Sequence, residues 1–124
     1  DLSEIESKLI EVEHTPTGAT IMMIVNDDDE NVFNISFRTC PQDSSGVAHV
    51  LEHMALCGSE SYPIRDPFFS MTRRSLNTFM NAFTGADFTC YPAASQIPED
   101  FYNLLSVYID AVFHPLLTEN SFLQ

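Results

Sequence analysis

Basic residues are scarce in this 124-residue chain: five Lys and Arg stand against 18 Asp and Glu, for a formal net charge of −13. So acidic a surface repels nucleic-acid phosphates and anionic membranes, and it attracts basic peptides. Neither a nucleic acid nor a membrane is therefore an expected partner. The charge can serve solubility or the steering of basic peptides, because sequence alone does not place the acids around a cleft. No apolar run approaches the roughly 20 residues of a membrane span. Asp1-Leu2-Ser3-Glu4 lacks the regions of a secretory signal, and with no initiating Met the chain is expected to continue from a longer precursor. Ser121-Phe122-Leu123-Gln124 has no breaker or polar tail and is expected to run on as well. Cys40, Cys57 and Cys90 are odd in number and form no C-x-x-C pair, so a disulfide framework is not expected. Free, mostly buried thiols in a reducing compartment are expected instead: a mitochondrial or plastid matrix, or a bacterial cytoplasm.

What is present suits a packed core. Hydrophobic residues make up 44% of the chain and ten are Phe, which excludes intrinsic disorder. The length fits one compact domain or part of a larger one. Lys8 to Glu13 and Thr20 to Val25 are β-branched and aliphatic, and Pro16 and Gly18 between them supply turn conformations, so this stretch reads as a hairpin. The acidic run Asn26 to Asn31 lacks the spaced oxygens, central Gly and distal Glu of a calcium loop and reads as a solvated turn. From Val32 to Cys40, Phe33, Ile35 and Phe37 alternate with Asn34, Ser36 and Arg38, the pattern of a half-buried strand ended by Pro41.

Asp43, Ser44 and Ser45 offer helix N-caps. The spacing of Val47, Val50, Leu51, Met54 and Ala55 predicts a short helix, with Gly58 as its C-terminal stop. A second short helix is expected over Phe68 to Ser75, with Pro67 near its first turn. Asn81 to Tyr91 reads as a strand with a bend or bulge at Gly85. The clearest helix is Pro98 to Phe113, where Phe101, Leu104, Leu105, Tyr108, Ile109 and Val112 recur at helical spacing. This order is α+β, and such short connections favour an antiparallel β-sheet with helices packed on one side.

The chemistry gathers in His49-Val50-Leu51-Glu52-His53. Residues four apart on a helix share a face, so two neutral imidazoles there can grip one divalent cation, and Zn2+ favours such nitrogens. Glu52 leans over the same site, where a carboxylate can take a proton from water whose pKa the metal lowers to about 7. The order H-x-x-E-H inverts the common H-E-x-x-H of zinc peptidases. Average residue usage puts a chance match in a chain this long on the order of one in a few hundred. A catalytic zinc needs a third protein ligand. Cys57 would continue the stripe, but ligands on three successive turns would span about 12 Å, too far for one ion. Glu99 and Glu119 are conceivable third ligands, although Glu99 already suits a helix start. His14 and His114 flank turns and read as structural.

The surroundings of the motif extend the match. Gly46 to His53, Leu56-Cys57-Gly58-Ser59, Asp66-Pro67-Phe68, Leu76 to Thr84, Thr89-Cys90-Tyr91-Pro92 and Asp100 to Leu104 together resemble the pitrilysin (insulysin) family of inverzincin metallopeptidases, in its presequence-protease and falcilysin branch. Thr17-Gly18-Ala19 and Phe37-Arg38-Thr39 match as well. The resemblance implies a large, two-halved enzyme of four related α+β domains that degrades unfolded peptides, such as cleaved targeting peptides, inside a chamber. Residues 1–124 would then be one incomplete N-terminal catalytic domain, with the remaining domains of the same protein as its partners. Carried over, His49 and His53 are the zinc ligands and Glu52 is the catalytic base. Asn81, Ala82 and Phe83 match the strand to whose edge the substrate backbone adds. The family's third ligand is a Glu on a later helix, beyond Gln124, so the isolated chain is expected to bind zinc weakly and to cleave nothing efficiently. Two alternatives stay open: a non-catalytic peptide-binding relative, and a metal lyase of the S-ribosylhomocysteine type, which also carries His-x-x-Glu-His.

Overall fold

The computed structural model describes residues 2–123. Strands β1 (Lys8–His14) and β2 (Ala19–Val25) form the expected hairpin, in register from Lys8 opposite Val25 to His14 opposite Ala19. Gly18, at φ +70°, supplies the left-handed residue that closes its turn. His14 Nδ1 lies 2.7 Å from Thr17 Oγ1 across that turn. The hairpin is a two-stranded sheet of its own. In the acidic run that follows, Asp28 N donates to Asn26 Oδ1 at 3.2 Å and Glu30 N to Asp28 Oδ1 at 2.9 Å. These side chains fold back on their own backbone, as solvated Asx turns do.

The main sheet begins with β3 (Asn31–Arg38), whose exposure alternates along its length as expected. It continues with β4 (Phe79–Met80), β5 (Phe83–Thr84) and β6 (Phe88–Ser95) in the order β3-β6-β4, with β5 also paired to β6. All pairings are antiparallel. Helices α1 (Val47–Ala55), α2 (Pro67–Arg74), α3 (Pro98–Phe113) and a short α4 (Glu119–Phe122) complete the α+β order. Register puts Phe33 opposite Ala93, Ile35 opposite Tyr91 and Phe37 opposite Thr89, so these side chains share one sheet face. On that face Tyr91 and Ala93 meet Ala55 of α1 and Leu104 and Tyr108 of α3, with Phe33, Ile35, Phe37, Phe68 and Met71 around them. Phe33 stands edge-on to Tyr108 at a centroid distance of 5.2 Å, a favoured aromatic geometry. Leu104 has no exposed surface. Leu104→Ala is expected to destabilise the fold by about 2–5 kcal/mol, read as a lower urea midpoint at unchanged slope.

Three local expectations are corrected. Asn81 to Tyr91 is not one strand. Pairing lapses at Asn81 and Ala82, the chain reverses through residues 85–87, and β6 runs on to Ser95. Gly85 N donates to Phe88 O at 2.7 Å to close that reversal. A Cβ on Gly85 would lie 2.4 Å from the Phe88 ring, so only Gly fits beneath it. Proline explains the lapse on the edge. Asn81 N donates to Pro92 O at 3.1 Å, but Pro92 has no N–H to return the bond. The Asn81 carbonyl takes the Tyr108 hydroxyl instead, at 3.3 Å. Burial pushes the Tyr108 hydroxyl well above the ordinary tyrosine range, so it remains a donor.

The second correction concerns the start of α1. Its N-cap is Gly46 at φ +73°, and no side chain caps it. Asp43 is occupied within the preceding loop, where it accepts from the backbone N–H (2.9 Å) and the hydroxyl of Ser45. Those bonds, the hydroxyl first, hold the Asp43 carboxyl below its usual range. The third concerns the thiols: Cys90 is buried, Cys57 is half-buried and Cys40 is exposed, all three free. The helix stop stands close to expectation: α1 ends at Ala55, and Gly58 follows at φ +137° against the Ile64 carbonyl, where a Cβ would lie 2.9 Å away.

Candidate metal centre

Helix α1 carries the site, and its burial is uneven. Of its nine residues only Glu52 and Ala55 are buried, while Val47, Val50 and Leu51 remain exposed beside them. The most buried polar group on the helix is thus the carboxylate of the motif. His49 and His53 project from the exposed side, with ring centroids 4.9 Å apart and Nε2 atoms 3.1 Å apart. Two imidazoles bound at 2.0–2.1 Å to one tetrahedral zinc would hold their nitrogens about 3.3–3.4 Å apart. The observed separation fits that donor pair to within a few tenths of an ångström. A hydrogen bond from the Nε2–H of one neutral ring to the Nε2 of the other also satisfies this geometry.

Glu52 is 5% exposed. Its Oε2 accepts a hydrogen bond from Thr84 Oγ1 at 2.6 Å, which joins α1 to β5. The ion pairs among the described residues, Arg65 with Asp66 and His114 with Glu60, leave it out. The charge of Glu52 is felt nearby: burial first, and then Glu52, pushes the Tyr91 hydroxyl up to about 12. Cys90 is raised by the same two causes in the same order.

The two rings border different clefts. His53 and Glu52 line one of about 700 Å³ with Phe68, Phe69, Asn81 and Ala82. His49 lines another of about 680 Å³ with Thr39, Cys40, Thr84 and Gly85. Of the residues matched to a substrate strand, Asn81 and Ala82 therefore share a cleft with the motif. Phe83 pairs with Cys90, so its side chain lies on the opposite sheet face, 6.2 Å from the Phe88 ring.

Among the described residues no group of three His, Cys, Asp or Glu could hold a metal, so neither Glu99 nor Glu119 completes the set. The Cys57 thiol donates to His53 O at 3.3 Å, and burial, then Asp66, raises its pKa, which suits a packed thiol better than a thiolate ligand. Sequence reasoning missed Thr84 as the partner of Glu52, and Thr89 and Thr39 as the hydroxyls behind it. The Thr84 contact crosses 32 positions of sequence, so no local pattern marks it.

Residues 38–124 match the family described as insulinase (peptidase family M16). A mitochondrial presequence protease of Mus musculus is 55% identical over 115 residues, covering 93% of this chain and 11% of that protein. Its counterpart from Aspergillus fumigatus is 54% identical over 121 residues, or 98% of this chain and 11% of its own. The chain thus spans about a ninth of the length of these curated relatives. The crystal structure of pitrilysin covers 92% of this chain and 12% of its own, with a TM-score of 0.78 at 20% identity, which shows a common fold. These relatives bear the name of the branch that the motifs around His49 resemble. With most of its length matched by the family model, the chain belongs to the insulinase family of peptidases, family M16.

Proposed function

We propose that the polypeptide containing this chain is a zinc-dependent metalloendopeptidase that degrades unfolded peptides, and that residues 1–124 are part of its N-terminal catalytic domain. The observation that carries this reading is the convergence of His49 and His53 Nε2 to 3.1 Å beside the buried Glu52. In this reading His49 and His53 would hold zinc through Nε2. Zinc, when bound, supplies Lewis acidity that polarises a carbonyl and makes water acidic at neutral pH. Glu52 takes the proton of the attacking water and returns it to the leaving amine. The broken edge of β4 and β5 receives the peptide as an added strand, with Asn81, Ala82 and Phe83 meeting its backbone. Backbone pairing reads little sequence, which suits a degradative enzyme, and the acidic surface favours basic peptides.

Membership in a peptidase family supports hydrolysis over the lyase chemistry that the motif alone left open. The relatives' name, and three cysteines that are all free, support a mitochondrial location and presequence-like peptides as substrates. The completing ligand and the remaining domains belong to the longer polypeptide. The full polypeptide should cleave an unstructured basic peptide, lose that activity to 1,10-phenanthroline and regain it with zinc. The isolated 124 residues should show no efficient cleavage under the same conditions. Full activity in the presence of the chelator would overturn the reading.

A further inference from the structure

We propose that Thr84 is a positioning residue for the Glu52 carboxylate, held in that role by a line of hydroxyls through Thr89 to Thr39. This inference rests on the reading of Glu52 as the base. A carboxylate only 5% exposed and without a cationic partner among the described residues must be stabilised by hydrogen-bond donors. Thr84 supplies one to Oε2 at 2.6 Å, within the range of charge-assisted O–H···O⁻ bonds. Oε1 has no protein donor among the described residues and is not sealed from solvent, so it is the oxygen free to exchange a proton.

The hydroxyl line gives Thr84 a direction. Its single proton is committed to Glu52, so its oxygen can only accept from the protein behind it. Thr89 Oγ1 lies 3.3 Å from Thr84 Oγ1, and Thr39 Oγ1 lies 2.8 Å from Thr89 Oγ1. With Thr39 donating to Thr89 and Thr89 to Thr84, each bond polarises the next toward the carboxylate. The backbone fixes all three. Thr84 and Thr89 are directly paired across β5 and β6, and Thr39 N donates to Asp87 O at 2.9 Å. Thr89, the middle member of the line, is 3% exposed, so bulk water does not compete for its hydroxyl. The consequence is a carboxyl group whose plane is set before substrate arrives, rather than one that must be oriented during reaction.

The test uses the full-length polypeptide and an unstructured peptide substrate. Thr84→Val keeps the shape of the side chain and removes the hydroxyl. It should lower kcat by about 10–100-fold while KM and bound zinc stay within about twofold. Thr84→Ser should recover kcat to within about threefold of wild type, since it restores the donor. In a Glu52→Gln background, Thr84→Val should cause no further loss. If T84V does not fold, T84A replaces it under the same criteria. Wild-type kcat in the hydroxyl-free variant, or a Ser variant as impaired as the Val variant, overturns the proposal. A Glu52→Gln enzyme that keeps its turnover overturns the reading of Glu52 instead. Abolished turnover in E52Q with an unimpaired T84V removes only the role of Thr84.

Discussion

Glu52→Gln in the full polypeptide is expected to lower kcat by about 10²–10⁴-fold, the span typical of a lost general base, while zinc content stays at the wild-type level. The substitution is isosteric. The Gln carbonyl oxygen can still accept from Thr84, which now donates at 2.6 Å, so the helix should keep its place. What changes is the basicity of the side chain: an amide has no basic oxygen to take a proton from water. His49 and His53 are untouched and remain 3.1 Å apart at Nε2, so metal affinity should hold. KM should move little, because in the proposed binding mode the sheet edge and not this carboxylate holds the peptide. Metal analysis and steady-state kinetics on one preparation separate the possibilities. Unchanged turnover would mean that a different group acts as the base, whereas no turnover in the wild type would favour a protein that binds peptides without cleaving them.

The approach of His49 to His53 was readily legible because its physics is local. His49, Glu52 and His53 lie within five residues, and helical spacing alone carries both rings to one side. The strands and helices with strict periodicity were legible for the same reason: Phe33, Ile35 and Phe37 alternate, and Leu104 and Tyr108 recur on the buried face of α3, although Ile109, read into the same stripe, is exposed. Failures arose where a distant partner decided the outcome. Asn81 to Tyr91 reads as one strand because alternation is blind to the reversal at Gly85, which Phe88 enforces from three residues away. Pro92, an apparent strand breaker, lies inside β6 because the edge opposite it gives up its pairing there. Asp43 has the chemistry of a cap but is already held by Ser45. Helix α4 has only a local cap as its signal, Thr118 Oγ1 accepting from Ser121 N at 3.2 Å, and no apolar period. The hydroxyls behind Glu52 were the least legible of all, since Thr39, Thr84 and Thr89 come from three separate stretches of chain that only the fold brings together.

His53→Ala is expected to release zinc from the full polypeptide and to lower kcat/KM by about 10³-fold, in contrast to the metal-retaining Glu52 variant. The loss follows from counting donors. In the proposed site this chain would contribute two nitrogens and, among its described residues, no third group that could hold a metal. Removing either imidazole takes away half of the chain's donors and the chelate that fixes the remaining one. Lewis-acid assistance amounts to several kcal/mol of transition-state stabilisation, and each 1.4 kcal/mol is a factor of ten. His49→Ala should behave alike, because the two Nε2 atoms converge on one point. The other two histidines provide the control. His14 is bound to Thr17 in the hairpin turn, and His114 faces Glu60 at 4.0 Å, so His14→Ala and His114→Ala should keep both metal and activity. Excess zinc should partly rescue the His53 variant, since its lesion is affinity, and should do nothing for Glu52→Gln, whose lesion is proton transfer. Zinc retention by His53→Ala would show that the metal sits elsewhere. The pair at 3.1 Å would then be two imidazoles joined by a hydrogen bond.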